Sequence, residues 1–245
     1  MPSDALPLPQ FIDFDHRAPL TERIDEPCTR EELRACLRDV SRLNRWFLAY
    51  RPLFGWLDSF VSKPAFDPIR ILDAGCGNGD ALRRVERWAA KRRIAVELTG
   101  IDINHDAVAI AAELAPPASR IRWVSADIFA FRPQQPLHLV FSTIFTHHLS
   151  DEDVVRFLLW MEEHAALGWL INDLARAVVP YHLLRIFSRI ARLHPFVRHD
   201  GPVSIARSFR PHDWERLCRA AGLDAGAVSI RPSRPARLCV ARRKP

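Results

Sequence analysis

Cysteine is scarce in this chain and follows no recognisable spacing. The 245 residues include five cysteines, and no two of them form a C-x-x-C pair. An odd number of isolated cysteines argues against a disulfide framework and against a cysteine-rich zinc site. We therefore expect reduced thiols, no metal and a cytoplasmic protein. The five positions are Cys28, Cys36, Cys76, Cys218 and Cys239.

Long apolar runs are also missing. No uncharged stretch approaches the roughly 20 residues that a membrane-spanning helix needs. The sequence starts Met-Pro-Ser-Asp and lacks the basic region and apolar core of a signal peptide. Hydrophobic residues nevertheless make up 48% of the chain, which is enough to form a sizeable core. The composition predicts a folded protein without a membrane span.

Lysine is almost absent, although the chain is basic. The net charge is +6, and three of the 35 basic residues are lysine. A basic balance can indicate nucleic acid, an anionic membrane surface or an acidic substrate. We interpret the arginine excess mainly as the compositional bias of a high-GC bacterial genome. One face of a predicted helix is basic, with Arg185, Arg189 and Arg192, and its other face is apolar, with Leu183 and Ile190. The basic face would suit an acidic substrate or carrier protein.

Glycine is concentrated at one point of the chain. Three of the nine glycines, Gly75, Gly77 and Gly79, alternate directly after an apolar run that ends in Asp73. Glycine lets a backbone turn sharply and approach a ligand, and the helix that follows offers unpaired N–H groups. The turn has no Lys-Ser/Thr ending, which excludes a P-loop, and Asp80 breaks the dinucleotide spacing G-x-G-x-x-G. The pattern predicts a strand, turn and helix around a cofactor that has no pyrophosphate.

Further acids come at the ends of two later predicted strands. Asp102 ends the run 96–103, and Asp127 lies in the run 121–128. A carboxylate at the tip of the second strand of a nucleotide-binding α/β fold can accept both ribose hydroxyls. The apolar run 137–145 is suited to a central parallel strand.

These motifs together resemble the class I S-adenosylmethionine-dependent methyltransferases. The segments that carry the resemblance are LDAGCGNG (72–79), GID (100–102), ADI (126–128) and VFS (140–142). The resemblance implies an α/β fold with a Rossmann-like, seven-stranded, mostly parallel sheet. It also implies an N-terminal helical cover over residues 1–66, a core over residues 67–245, and a substrate-cap insertion at residues 174–210.

The resemblance also assigns the cofactor, S-adenosylmethionine, which leaves as S-adenosylhomocysteine. It implies that Asp73 and a backbone carbonyl near Phe141 or Ser142 hold the methionine ammonium group. The glycine turn leaves room for the nucleoside, Asp102 holds the ribose, and Asp127 accepts from the adenine amine. The remaining implied cofactor residues are Gly75, Cys76, Gly77 and Gly79 in the turn, with Ile103 and Ile128 on either side of the ring.

The methyl acceptor is predicted to be a small molecule. We expect His147 or His148, which follow the fourth strand, to act as catalytic bases; Asp173, His182 and His199 are further candidates. Apolar and aromatic side chains outside the core motifs predict a pocket for an aromatic acceptor. They are Trp46, Tyr50, Phe145, Tyr181 and Phe187.

Residues 39–46 (DVSRLNRW) resemble small-molecule methyltransferases of bacterial polyketide and quinone pathways. We therefore expect O-methylation of a hydroxyl on an aromatic or polyketide-like molecule, with C-methylation of a quinone or phenol ring as the alternative. A nucleic-acid methyltransferase is disfavoured, because residues 142–145 (STIF) lack the Asn/Asp-Pro-Pro motif of base methylation. Metal-dependent catechol chemistry is disfavoured too, since Ser142 replaces an acid and Asn172 precedes Asp173 in reversed order.

Overall fold

The computed structural model describes residues 12–61, 67–224 and 226–244. Its centre is one seven-stranded sheet with the strand order β3-β2-β1-β4-β5-β7-β6. Strands β1 to β5 are parallel, and β7 is antiparallel to both β5 and β6. The predicted α/β, seven-stranded, mostly parallel fold is confirmed. The strands are β1 (Ile69–Ala74), β2 (Val96–Asp102), β3 (Arg122–Ser125), β4 (Leu137–Thr143), β5 (Ala165–Leu174), β6 (Val228–Ser233) and β7 (Arg237–Arg243).

Helices cover both faces of the sheet. One buried apolar cluster joins α5 and α8 to the strands, and a second joins α2 and α3 to them. None of the helices in the described ranges is long and apolar enough to cross a bilayer. The helices are α1 (Arg30–Trp46), α2 (Arg51–Val61), α3 (Asp80–Arg92), α4 (His105–Leu114), α5 (Asp151–His164), α6 (Val178–Ile190), α7 (Pro195–Arg207) and α8 (Pro211–Ala220).

Helix α1 lies in the segment for which the sequence predicts an N-terminal cover. It begins at a capping box, in which the Thr29 hydroxyl accepts from the Glu32 N–H and the Glu32 carboxylate accepts from the Thr29 N–H. Its buried side includes Leu33 and Cys36, and it contacts α4 and α7. The cover therefore spans the end of the sheet where β1 and β2 finish. Residues 1–11 and 62–66 of the expected cover lie outside the described residues.

The insertion after β5 contains a second helix that the sequence pattern did not predict. Helix α7 begins with Pro195 at its first turn, and the His194 ring accepts from the Phe196 N–H. Gly201 and Pro202 lie inside it, and its apolar residues do not form a one-sided stripe, so no helical period is visible. Gly201 lets α6 pack closely, since a Cβ there would lie 3.0 Å from Leu184. The two helices pack as a pair above the sheet edge.

Helix α6 leaves part of its predicted apolar face exposed. Leu183 is 62% exposed and Ile190 is 75% exposed, whereas Tyr181 and Ser188 are buried. Helix α6 packs against α7, and Ile186 and Ile190 stay exposed on its surface.

Candidate functional site

A large cavity opens at the carboxyl edge of β1, β2 and β4. Its volume is about 840 Å³, within the range of roughly 300–1,000 Å³ that is typical of ligand sites. In open α/β sheets, ligands bind at this edge. Helices α1, α6 and α7 cover it. Among its lining residues are Glu22, Asp25, Phe47, Tyr50, Gly75, Cys76, Gly77, Asp102, Ile103, Asp127, Ile128, Thr143, Ile144, Phe145, His147, His148, Phe187 and Arg237.

The glycine turn is fixed by hydrogen bonds to β2. The Gly75 and Cys76 N–H groups donate to the Ile101 carbonyl at 2.8 and 2.9 Å, and the Gly77 N–H donates to Asp102 Oδ2 at 2.8 Å. Gly75 has φ +72°, and a Cβ there would lie 2.5 Å from the Phe145 ring. The turn therefore requires glycine at position 75 for its backbone angle and for the close approach of Phe145.

Asp102 lies where a ribose-binding carboxylate is expected. Besides Gly77, its carboxylate accepts from the Asn104 N–H at 2.9 Å, so it joins the glycine turn to the start of α4. Burial raises the pKa of Asp102, and the two backbone hydrogen bonds oppose that rise. The carboxylate lines the cavity, which is compatible with the expected ribose contact.

Asp73 is fully buried at the end of β1. Neither carboxylate oxygen has a hydrogen-bond partner among residues 12–61, 67–224 and 226–244. Burial raises the pKa of Asp73 well above its usual value, and the charge of Asp102 adds to the rise. A buried carboxylate without a partner is costly unless a cation or donor reaches it. The ammonium group of S-adenosylmethionine fits that requirement.

The structure brings the expected adenine contacts into the same cavity. Ile103 is 74% exposed at the rim, Ile128 is buried, and Asp127 accepts from the Phe129 N–H at 2.9 Å. Four of the predicted cofactor residues lie outside the lining: Asp73, Gly79, Phe141 and Ser142. Thr143 and Ile144 take the place expected for the last two. The roles of all these residues toward the cofactor stay predictions.

His147 is held by Asp173 from β5. The ring Nδ1 lies 2.8 Å from Asp173 Oδ1, and Oδ2 accepts from the His147 N–H at 3.0 Å and the Thr146 hydroxyl at 2.6 Å. Burial alone would raise the pKa of Asp173, but the His147 imidazole and these hydrogen bonds hold it well below its usual range. The Nε2 atom of His147 is buried and faces Glu22.

His148 lies beside His147, with ring centroids 4.3 Å apart. Its Nδ1 is 3.0 Å from the nearer oxygen of Asp25, and its Nε2 is 3.8 Å from Glu22. Burial would lower the pKa of His148, but the charges of Glu22 and Asp25 outweigh burial and raise it to about 9. Arg207 contacts Asp25 at 3.0 Å and donates to the His148 carbonyl.

The predicted aromatic pocket is formed in part. Tyr50, Phe145 and Phe187 line the cavity, and the Tyr50 hydroxyl accepts from the Asn44 amide at 3.1 Å. Trp46 lies outside the lining and packs edge-on against Phe187, with centroids 5.8 Å apart. Tyr181 also lies outside, because it is buried on the other side of α6 against Phe14.

Four polar residues of the site were not identified from the sequence: Glu22, Asp25, Arg207 and Arg237. The first two lie in a stretch without periodicity, and the arginines are two among many. Arg237 could have been suspected, since it begins a strand that pairs with the end of β5. Two other candidate bases do not lie beside His147 and His148. His199 is bonded to Asp200 at 2.8 Å, and His182 lies on α6.

Comparison with known proteins indicates a methyltransferase domain in the first half of the sheet. A family model described as a methyltransferase domain matches residues 71–166. A trans-aconitate 2-methyltransferase of Streptomyces avermitilis is 38% identical over 147 residues, which cover 56% of this chain and 52% of that protein. The enzyme of the same name from Azoarcus sp. (strain BH72) is 26% identical over 53% of this chain and 42% of its own. The chain thus matches about half the length of these curated relatives.

Solved structures share the fold over most of the chain. The plantazolicin methyltransferase BpumL, in complex with a pentazolic desmethylPZN analog and SAH, has a TM-score of 0.62 at 15% identity and covers 87% of this chain and 96% of its own. The magnesium protoporphyrin IX methyltransferase (ChlM) from Synechocystis PCC 6803 with bound SAH has a TM-score of 0.52 at 13% identity, with 91% of each chain covered.

The cavity at the carboxyl edge of the sheet, the fold and the matched methyltransferase domain agree with one another. Both solved methyltransferases contain SAH, in agreement with the S-adenosylmethionine cofactor that the sequence motifs imply. Residues 71–166 thus match a methyltransferase domain, and the sequence motifs, the sheet order and the cavity are those expected of a class I S-adenosylmethionine-dependent methyltransferase.

Proposed function

We propose that the protein transfers the methyl group of S-adenosylmethionine to an oxygen atom of a small, mostly apolar acceptor. The observation that carries the proposal is the continuity of the cavity. The glycine turn and Asp102 lie at one part of its wall, Phe47 and Phe187 at another, and the polar group of Glu22, His147 and His148 at a third. A donor and an acceptor could therefore meet without leaving the site.

Asp102 and Asp73 would bind the donor. Asp102 would accept from the ribose hydroxyls, and Asp73 would compensate the ammonium charge, directly or through water. The sulfonium of the bound donor supplies an activated methyl group, so alignment of the acceptor provides much of the rate enhancement. Cys76 and Gly77 line the cavity together with Asp102, whereas Asp73 is buried outside the lining.

In the transfer, the oxygen uses one of its electron pairs to bond the methyl carbon, and the C–S pair stays on sulfur. A hydroxyl acceptor loses its proton, and the products are a methyl ether, S-adenosylhomocysteine and that proton. His147 would receive the proton, since its imidazole lies on the cavity wall, whereas the raised pKa of His148 keeps that neighbouring ring charged near neutral pH. Asp173 and Asp25 would keep the two rings in position through their Nδ1 atoms.

A carboxylate acceptor is the second candidate, and Arg237 is the observation in its favour. Its Nη2 donates to Asn44 at 2.9 Å, but its buried Nη1 has no partner among the described residues. Arg237 lines the cavity, and a free guanidinium donor suits an acceptor carboxylate. The curated relatives are named for trans-aconitate, which is a carboxylate.

Methyl-labelled S-adenosylmethionine, offered with a panel of phenols, carboxylic acids and RNA, tests the proposal. We expect label in an oxygen acceptor of the panel and none in RNA. Mild alkali would release the label from an ester and leave it in an ether, which distinguishes the two candidates. A product labelled on carbon, or label in RNA, would contradict oxygen transfer.

Replacement of Arg237 by Met separates the candidates again. For a carboxylate acceptor, the Michaelis constant should rise by roughly 10-fold or more, the effect of a lost charged hydrogen bond. For a phenol it should change little. The matched control is Arg231→Met, on the neighbouring strand β6 and outside the cavity lining.

A further inference from the structure

Three potential metal-ligand atoms converge on one point of the cavity wall. The Nε2 atom of His147 is 3.5 Å from Glu22 Oε1, and the Nε2 atom of His148 is 3.8 Å from Glu22 Oε2. All three side chains offer ligand atoms within 4.8 Å of one another. Two ligands at about 2.0–2.1 Å from one tetrahedral ion lie about 3.4 Å apart. Small side-chain rotations would therefore close this group around an ion.

Two of these ligand atoms are buried and form no hydrogen bond, although they lie 3.5 Å from each other and Glu22 Oε1 lies 3.7 Å from Arg207. Glu22 is 3% exposed and His147 is 1% exposed. Across residues 12–61, 67–224 and 226–244, neither Glu22 Oε1 nor His147 Nε2 has a hydrogen-bond partner. Buried polar atoms are nearly always satisfied, so both atoms require a partner in the working protein.

Both imidazoles are already oriented as metal ligands are. His147 points its Nδ1 at Asp173, and His148 points its Nδ1 at Asp25. A metal-binding histidine usually donates its second ring N–H to a carboxylate, which fixes the tautomer and leaves the other nitrogen free for the metal. Here both Nε2 atoms are directed to the same Glu22 carboxylate.

The cluster contains charged groups of both signs. Glu22, Asp25 and Asp173 contribute three carboxylates. Arg207 lies 3.0 Å from Asp25 and 3.7 Å from Glu22, and Arg237 acts on Asp173 electrostatically. Two guanidinium groups and the charged His148 therefore balance three carboxylates, and an ion that binds here must displace the His148 proton.

We propose that Glu22, His147 and His148 bind one divalent transition-metal ion, with Asp173 and Asp25 as the outer carboxylates that orient the two histidines. Two imidazoles and one carboxylate suit Zn²⁺ and Fe²⁺, and three protein ligands leave a coordination position open toward the cavity. The site is distinct from the Asn172 and Asp173 pair considered in the sequence, because its carboxylate ligand comes from the N-terminal segment.

An ion at this point would contact the acceptor oxygen. It would lower the pKa of a bound hydroxyl, so that the proton leaves to water while the imidazoles act as ligands and not as proton acceptors. Metal binding itself does not depend on the proposed function. The two inferences can therefore fail separately.

Calorimetric titration of the untagged, chelator-treated full chain with Zn²⁺ alone tests the proposal, with Co²⁺ absorption as a second readout of the ligand geometry. We expect one ion per chain. Glu22→Gln and His148→Gln should each weaken binding by more than about 100-fold, since even loss of an outer-shell partner costs roughly 10–100-fold. Asp25→Asn should weaken it by about 10–100-fold. His199→Gln is the matched control, because His199 also bonds a carboxylate through Nδ1 but lies outside the cluster.

Two results would overturn the metal site: no stoichiometric binding of either ion to the wild-type chain, or binding that survives both Glu22→Gln and His148→Gln. Circular dichroism of each variant shows whether it is folded. S-adenosylhomocysteine binding is measured on the same samples. Cofactor binding without metal binding would refute this proposal alone, and metal binding without methyl transfer would refute the proposed function alone.

Discussion

Asp102 provides the most direct test of the cofactor site. Its carboxylate accepts two backbone hydrogen bonds, at 2.8 Å from Gly77 and 2.9 Å from Asn104, and it lines the cavity. In Asp102→Asn, an amide NH2 group replaces one carboxylate oxygen, so two hydrogen-bond donors face each other at that position. The variant therefore loses one charged hydrogen bond within the protein and the charged acceptor for the ribose.

A hydrogen bond to a charged group contributes about 1.5–3 kcal/mol. Asp102→Asn should lower the free energy of unfolding by roughly that amount, and it should weaken S-adenosylhomocysteine binding by about 10–150-fold. Calorimetry gives the affinity, and urea unfolding gives the stability. Asp106→Asn is the control, since Asp106 is half exposed and contacts Arg30 at 3.8 Å. An unchanged affinity in folded Asp102→Asn would refute the ribose role.

Three further outcomes are expected. Phe187→Ala should raise the acceptor Michaelis constant several-fold, because Phe187 lines the cavity from α6 and does not belong to the glycine turn. The S-adenosylhomocysteine affinity measured by calorimetry should stay unchanged. An equal loss of acceptor and cofactor affinity would contradict a separate acceptor wall. Gly79→Ala should lower the free energy of unfolding, measured in urea titrations, by about 2 kcal/mol or more. Position 79 has a φ of +75°, and the added Cβ would collide with the Trp123 ring. A second substitution, Trp123→Leu, should restore part of the lost stability. Arg17→Met should lower the free energy of unfolding by roughly 1.5–3 kcal/mol in the same assay, since Arg17 donates to Asp151 and to the carbonyls of His147 and Leu149. A change of less than about 0.5 kcal/mol, which is typical of surface substitutions, would contradict this prediction.

The sheet and the cofactor edge of the site could be predicted because their signals are local. An apolar strand, a glycine turn and an acid at the next strand end each lie within a few residues, and parallel strands bring their ends together. Gly75, Asp102 and Asp127 therefore fall where the sequence places them.

The polar end of the cavity could not be predicted because it is assembled over long distances in the chain. Glu22 meets His147 across about 125 residues, and no periodicity marks it. Helix α7 was missed for a related reason: Gly201 and Pro202 are ordinary signals of a chain break, yet here close packing on α6 tolerates both. Tertiary contacts, and not local propensity, determine these parts.

The aromatic rings above the glycine turn change how substitutions in this motif should be interpreted. A Cβ at Gly75 would meet Phe145, and one at Gly79 or Gly100 would meet Trp123. The space that these glycines leave is thus occupied by the protein itself. In a screen of random variants, inactive clones at these positions would reflect failed folding as readily as a lost cofactor contact. Only variants at Gly77, where a Cβ would meet nothing closer than Leu37 at 3.7 Å, report on the strain of the turn with little added crowding.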